Sequence, residues 1–148
     1  MRKLTAAFAG LLVLLISLPA SAETSTRVDG YTIHHNAITT DMLTPEIARA
    51  YRIVRSRNRG MLNVSVIKDQ EDTTGTPVPA DVRVYSTNIV GQRRPIYVRE
   101  IREGDAVYYI GDFLVRHGET MNFHIDVRPK GAATFFTAEM SQEFFTRY

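Results

Sequence analysis

From Tyr31 onward the apolar positions recur with a period of two, the mark of β-strands with one dry face and one wet face. Tyr31, Ile33, His35 and Ala37 alternate with Thr32, His34 and Asn36, and Leu62, Val64 and Val66 alternate with Asn63 and Ser65. The clearest runs are Val78, Ala80, Val82 and Val84 and, further on, Met121, Phe123, Ile125 and Val127. Weaker alternation predicts strands over 95–102, 106–115 and 134–141, with a short one at 143–146. Turn residues separate these runs, at 69–77 with Gly75, 88–92 with Gly91, Glu103-Gly104-Asp105, His117-Gly118 and Pro129-Lys130-Gly131. Short strands at this spacing predict a mainly β fold, an antiparallel β-sandwich resembling the immunoglobulin type with about seven strands. The strand over 106–113 is apolar on both faces, with Val107, Tyr109 and Phe113 on one and Ala106, Tyr108 and Ile110 on the other. It is expected to be central, or covered on its second face.

One segment breaks the pattern. In LTPEIARAYRIVRSRNRG, Thr44 is suited to cap a helix, Pro45 to open it and Glu46 to complement its positive end. Ile47, Ala50, Tyr51 and Val54 then form a single apolar stripe, and Gly60 marks the end. The expectation is one short amphipathic helix after the first strand, its stripe on the sheet and Arg49, Arg52 and Arg55 on the opposite side. Arg57 and Arg59 would lie in its last turn.

The start of the chain changes the functional picture. Arg2 and Lys3, an apolar run from Leu4 to Leu18, and Ala20-Ser21-Ala22 form a secretory signal peptide over residues 1–22, cleaved before Glu23. Residues 23–148 are expected to form one domain without a further membrane span, located in the periplasm or outside the cell. There is no cysteine, so oxidising surroundings add no disulfide. The whole chain has 18 basic and 16 acidic side chains, and removing Arg2 and Lys3 balances them. A neutral exported domain is a poor partner for nucleic acid.

The run HHNAITTDMLTPEIARAYRIVRSRNRG, the later VYYIGDF and the closing SQEFF resemble a family of small exported proteins of Gram-negative bacteria catalogued only as a domain of unknown function. The resemblance spans the mature chain and implies a single periplasmic β-sandwich-like domain. It implies no catalytic residue, ligand or cofactor.

Candidate chemistry is sparse. There is no Gly-X-Ser-X-Gly elbow, no phosphate-binding glycine pattern and no His-Glu-X-X-His spacing. His34 and His35 are the most tempting metal ligands, with methionines as soft co-ligands, but adjacent strand residues point to opposite faces. His35 is expected to be a hydrogen-bonded core residue and His34 to be exposed. Asn122, His124 and Asp126 share a wet strand face. The mature chain uses fourteen arginines against two lysines, a preference for bidentate contact with carboxylate or phosphate. The function expected is therefore a non-enzymatic periplasmic accessory or protein-interaction domain with no cofactor. Arg49, Arg52 and Arg55 would form its docking face for an acidic protein or another anionic envelope component. A small-ligand or copper carrier using His34 is the alternative, and a secreted enzyme comes third.

Overall fold

The computed structural model describes residues 24–146. The expected leader lies outside the described residues. Ten strands run in the order β1 (Ser25–Val28), β2 (Tyr31–Thr39), β3 (Arg59–Lys68), β4 (Thr76–Pro77), β5 (Ala80–Thr87), β6 (Arg93–Ile96), β7 (Arg99–Glu103), β8 (Ala106–Leu114), β9 (Glu119–Pro129) and β10 (Phe136–Phe144). A 3-10 turn (Thr40–Met42) and helix α1 (Pro45–Tyr51) join β2 to β3. The first sheet has the order β1-β2-β3-β8-β7, with β4 added to the end of β3, and the second has the order β10-β9-β5-β6. Every pairing is antiparallel.

The two sheets form a sandwich whose core follows the alternation in the sequence. Ile33, Leu62, Val64 and Val66 of the first sheet meet Phe123, Ile125 and Val127 of the second, all fully buried. Phe113 packs its ring against Phe123 and Phe144, with centroids 5.3 and 5.7 Å apart. Its ring also lies over Gly60, its direct cross-strand partner, where any Cβ would overlap it. Gly60 is therefore a position inside β3 that admits an aromatic ring, and not a helix terminator.

Tyr109 ties the sheets together at their other end. Its hydroxyl accepts from the N–H of Ala80 (2.8 Å) and donates to Glu100 Oε2 (2.9 Å). Glu100 also accepts from Arg102 Nε. Those two donors hold the Glu100 carboxyl below the usual carboxylate range, while burial pushes the Tyr109 phenol up.

Four expectations need correction. The segment over 95–102 is two strands, β6 and β7, which belong to different sheets; the chain crosses between them at Tyr97 and Val98. The segments at 134–141 and 143–146 are one strand, β10. β1 adds an edge strand, so α1 follows the second strand rather than the first. The helix ends at Tyr51, because Arg52 takes a left-handed conformation (φ 55°) and the N–H of Ile53 turns back to Ala48. Thr44 does cap it, accepting from the N–H of Ile47, and Pro45 opens it.

Two turns are too short to carry the predicted stripe. Ile47 and Val54 are exposed, whereas Leu43, Ala48 and Ile53 point inward onto Met61 and Ile110. This second, smaller core covers the outer face of β3 and β8, and accounts for the strand that is apolar on both faces. Tyr51 closes its rim by donating to Glu103 Oε1 (2.8 Å). Burial, then that hydrogen bond, push the Tyr51 phenol up to about 12. Folding thus favours the neutral phenol. The contribution is complete below pH ~10, where an unfolded tyrosine begins to ionise, and is lost as pH rises through the folded value. Alkaline titration followed by tyrosinate absorbance should show Tyr51→Phe removing a late-ionising phenol, and the stability difference between the two proteins should shrink over the same alkaline range.

Candidate functional site

The arginines of residues 49–59 do not form one helical face. Arg49 folds its Nε onto the carbonyl of Pro45, and Arg52 occupies the left-handed cap. Arg55 lies beyond the helix and donates from Nε to the carbonyl of Leu43 (2.7 Å) and from Nη2 to that of Asp41 (3.1 Å). Arg57 approaches Asp41 at 4.0 Å, and Arg59, on β3, pairs with Asp112 at 2.8 Å. Thr40 anchors the whole segment. It is fully buried, donates its hydroxyl to the carbonyls of Val54 and Ser56, and accepts from the N–H of Ser56.

His34 and His35 face opposite ways, as strand geometry requires. His35 lies in the core with Nε2 hydrogen-bonded to Thr26 Oγ1 (3.1 Å), and His34 is exposed. His34 overlooks a polar hollow of about 310 Å³ on the outer face of the first sheet, also lined by Thr24, Asn36, Asn63 and Ser65. Asn63 Oδ1 is buried there without a hydrogen-bond partner among the described residues. The methionines do not converge on His34: Met61 lies beneath α1, Met121 and Met140 belong to the core between the sheets, and Met42 is exposed on the 3-10 turn. No group of three or more His, Cys, Asp or Glu side chains among the described residues could hold a metal ion. On the second sheet, His124 stacks on Tyr85 (4.6 Å) and meets Glu139, and Asp126 accepts from Thr137, so the wet triplet is engaged within its own sheet.

The strand registers sort the loops into two ends of unlike chemistry. One end is marked by the pairs Tyr31 with Lys68 and Ala80 with Pro129, brought together by the contact of Tyr31 with Phe136. Its turns carry Asp29, Asp69, Glu71, Asp72 and Asp105 with Lys130, and the adjoining strand ends carry Lys68, Arg27, Arg102 and Arg128. The other is marked by Thr39 with Gly60, Arg59 with Leu114, Thr87 with Asn122 and Glu119 with Phe144. This second end bears Arg55, Arg57, Arg59, Arg93, Arg94 and Arg116 against Asp41, Asp112, Glu119 and Glu143. It also bears most of the large apolar side chains left in solvent: Met42, Val54, Ile89, Val90, Leu114 and Phe145, each at least 63% exposed. Sequence reasoning passed over Ile89 and Val90, although two aliphatic residues inside the turn Asn88–Gln92 were the signal available.

A family model described as DUF4426, a domain of unknown function, matches residues 25–147. The chain belongs to this family. The crystal structure of a DUF4426 family protein from Pseudomonas aeruginosa PAO1 is 28% identical in sequence, with a TM-score of 0.72, over 84% of this chain and 95% of that one. The fold is also that of FetP from uropathogenic Escherichia coli strain F11, expressed recombinantly in the periplasm, at 9% identity, a TM-score of 0.59 and coverage of 84% and 94%. A copper-bound variant of FetP aligns similarly, with 9% identity, a TM-score of 0.61 and coverage of 83% and 95%. No curated protein matches the chain. Among the described residues no helix is long and apolar enough to cross a membrane.

Proposed function

We propose that the protein is a non-enzymatic accessory domain of the periplasm that acts by docking its arginine-bearing end on an anionic component of the cell envelope. The observation that carries this role is the gathering of exposed aliphatic and arginine side chains at one end, while acids crowd the turns of the other. Of the three arginines expected to dock, Arg55 sits at this end; Arg49 lies on the helix that covers the first sheet and Arg52 in its C-terminal cap. Such a polarised, overall neutral domain orients itself in the field of an anionic partner without net attraction along its whole surface.

Cell fractionation tests the role. A share of the protein is expected to sediment with envelope membranes at low salt, and Ile89→Ser with Val90→Ser should shift it to the soluble fraction without changing its melting temperature. An identical distribution for both would defeat the docking role. A second reading, a carrier of a small polar ligand, is supported by the hollow at His34 with its unsatisfied Asn63 acceptor. The copper-bound state of a FetP variant is consistent with a carrier, although no group of three or more His, Cys, Asp or Glu among the described residues surrounds His34. Calorimetry with copper would favour the carrier if tight stoichiometric binding appeared and His34→Ala abolished it.

A further inference from the structure

The β5–β6 hairpin is built in a way its exposure alone does not explain. Its tip holds Ile89 and Val90 almost entirely in solvent, at 84% and 73% exposure, the two most exposed aliphatic side chains of the described residues. Four N–H groups of the loop are bonded within it. The N–H groups of Val90 and Gln92 donate to Asn88 Oδ1, that of Gly91 to the Asn88 carbonyl and that of Asn88 to the Gln92 carbonyl. Asn88 Nδ2 also donates to Gln92 Oε1. That internal bonding holds the turn compact, so its two aliphatic side chains can reach below a headgroup layer while the remaining backbone groups stay among headgroups and water.

Behind the tip stand Arg93 and Arg94. Arg93 lies over the ring of Tyr85 at 3.5 Å and has no carboxylate partner among the described residues. Arg94 meets Glu119 only at 3.6 Å. Beside them an apolar cleft of about 230 Å³ opens between β6 and β8, lined by Pro95, Ile96, Phe113, Leu114 and Met121, with Arg94 and Asp112 among its polar residues. Leu114 and Phe145 are also exposed, at the ends of β8 and β10 on this side of the sandwich. The exposed apolar groups stand on separate tips, and at the β5–β6 hairpin Arg93 and Arg94 follow Val90 by three and four residues. A bilayer surface accepts that arrangement: aliphatic tips enter below the headgroups while guanidinium groups stay at the phosphates.

We propose that the Asn88–Gln92 hairpin is a membrane-surface anchor, and that the anionic component docked by this end is a phospholipid bilayer bearing phosphatidylglycerol-type headgroups. The inference rests on the docking role proposed above and specifies its partner. Binding would be peripheral and reversible, since two aliphatic side chains and a few arginines supply far less than a spanning segment.

Vesicle sedimentation tests it with the protein in the form the cell leaves it. Vesicles of mixed phosphatidylethanolamine and phosphatidylglycerol are compared with vesicles of phosphatidylcholine alone. Expected is binding to the anionic vesicles that weakens with salt, and little to the neutral ones. Ile89→Ser with Val90→Ser should lower the partition constant by at least about tenfold, and Arg93→Gln with Arg94→Gln should lower it by about as much and flatten the salt dependence. Melting temperatures are measured in parallel, and because the Ile89 and Val90 side chains lie in solvent, that variant should fold normally. Equal binding to both vesicle types, or unchanged binding of a normally folded tip variant, would overturn the inference. Association with cell envelopes but not with lipid vesicles would leave the docking role intact and point to a protein partner. Self-association lost in the tip variant, without vesicle binding, would mark the end as an interface between copies of this chain, and would also overturn it.

Discussion

Phe123→Ala is expected to destabilise the protein by about 3–5 kcal/mol, the range for removing a fully enclosed aromatic side chain. Phe123 is buried completely at the centre of β9, between the rings of Phe113 and Phe144. Its loss would open a cavity where the two sheets meet. It would also loosen the support under Phe113, whose ring covers Gly60. Collapse cannot readily fill that space, because the neighbouring positions are held by the β3–β8 and β9–β10 ladders. A domain of this size has about 5–15 kcal/mol of stability in total, so the variant should unfold at much lower urea concentration or fail to accumulate. Equilibrium urea denaturation followed by circular dichroism measures the loss. A change below about 1 kcal/mol would mean that the sheets do not close on this ring.

Thr40→Val is expected to cost about 2–4 kcal/mol although the two side chains have nearly the same shape, because buried polar groups left unpaired each cost about 1–3 kcal/mol. The Thr40 hydroxyl accepts from the N–H of Ser56 at 2.9 Å and donates to the Val54 and Ser56 carbonyls at 2.8 and 3.1 Å. Valine strands all three groups beneath the segment that returns from α1 to β3. Thr40→Ser keeps the hydroxyl and should be clearly milder. The damage should be local at first: amide exchange should accelerate over 53–58 and over α1 before it does so in β9. Equal losses for the valine and serine variants would show that packing of the methyl group, and not hydrogen bonding, holds this segment.

Much of the architecture was legible because a half-buried strand must alternate. Ile33, Leu62, Val64, Val66, Val84, Phe123, Ile125 and Val127 all face the core as their period of two requires. The same rule placed His35 inside and His34 outside, and thereby argued against a shared metal. The two-faced apolarity of 106–113 foretold a covered strand because only a second apolar layer makes such a pattern stable. The start of the helix was equally legible, since Thr44 and Pro45 act through purely local geometry.

Its end was not, because a left-handed cap is usually announced by glycine, and here Arg52 adopts it under tertiary constraint. Once the helix stopped at Tyr51, Leu43 and Ile53 could reach Met61 and Ile110, and that contact outweighed the regular stripe through Ile47 and Val54. The crossing at Tyr97 and Val98 was hidden for a related reason: residues 95–102 read as one extended run, and the change of sheet follows from its two halves joining different hairpins, Pro95 with Tyr85 and Ile101 with Tyr108, whose strands β5 and β8 pair at long range with β9 and β3.

Chain composition and local periodicity by themselves determined a cysteine-free, mainly β domain with a capped helix, because these follow from residue counts and local geometry. Only the tertiary structure decided which loops share an end of the sandwich. Met42, Ile89, Leu114 and Phe145 are scattered over more than a hundred residues of sequence, and their placement at the same end of the sandwich as Arg93 and Arg94 follows from strand direction and register, which are set by long-range pairing.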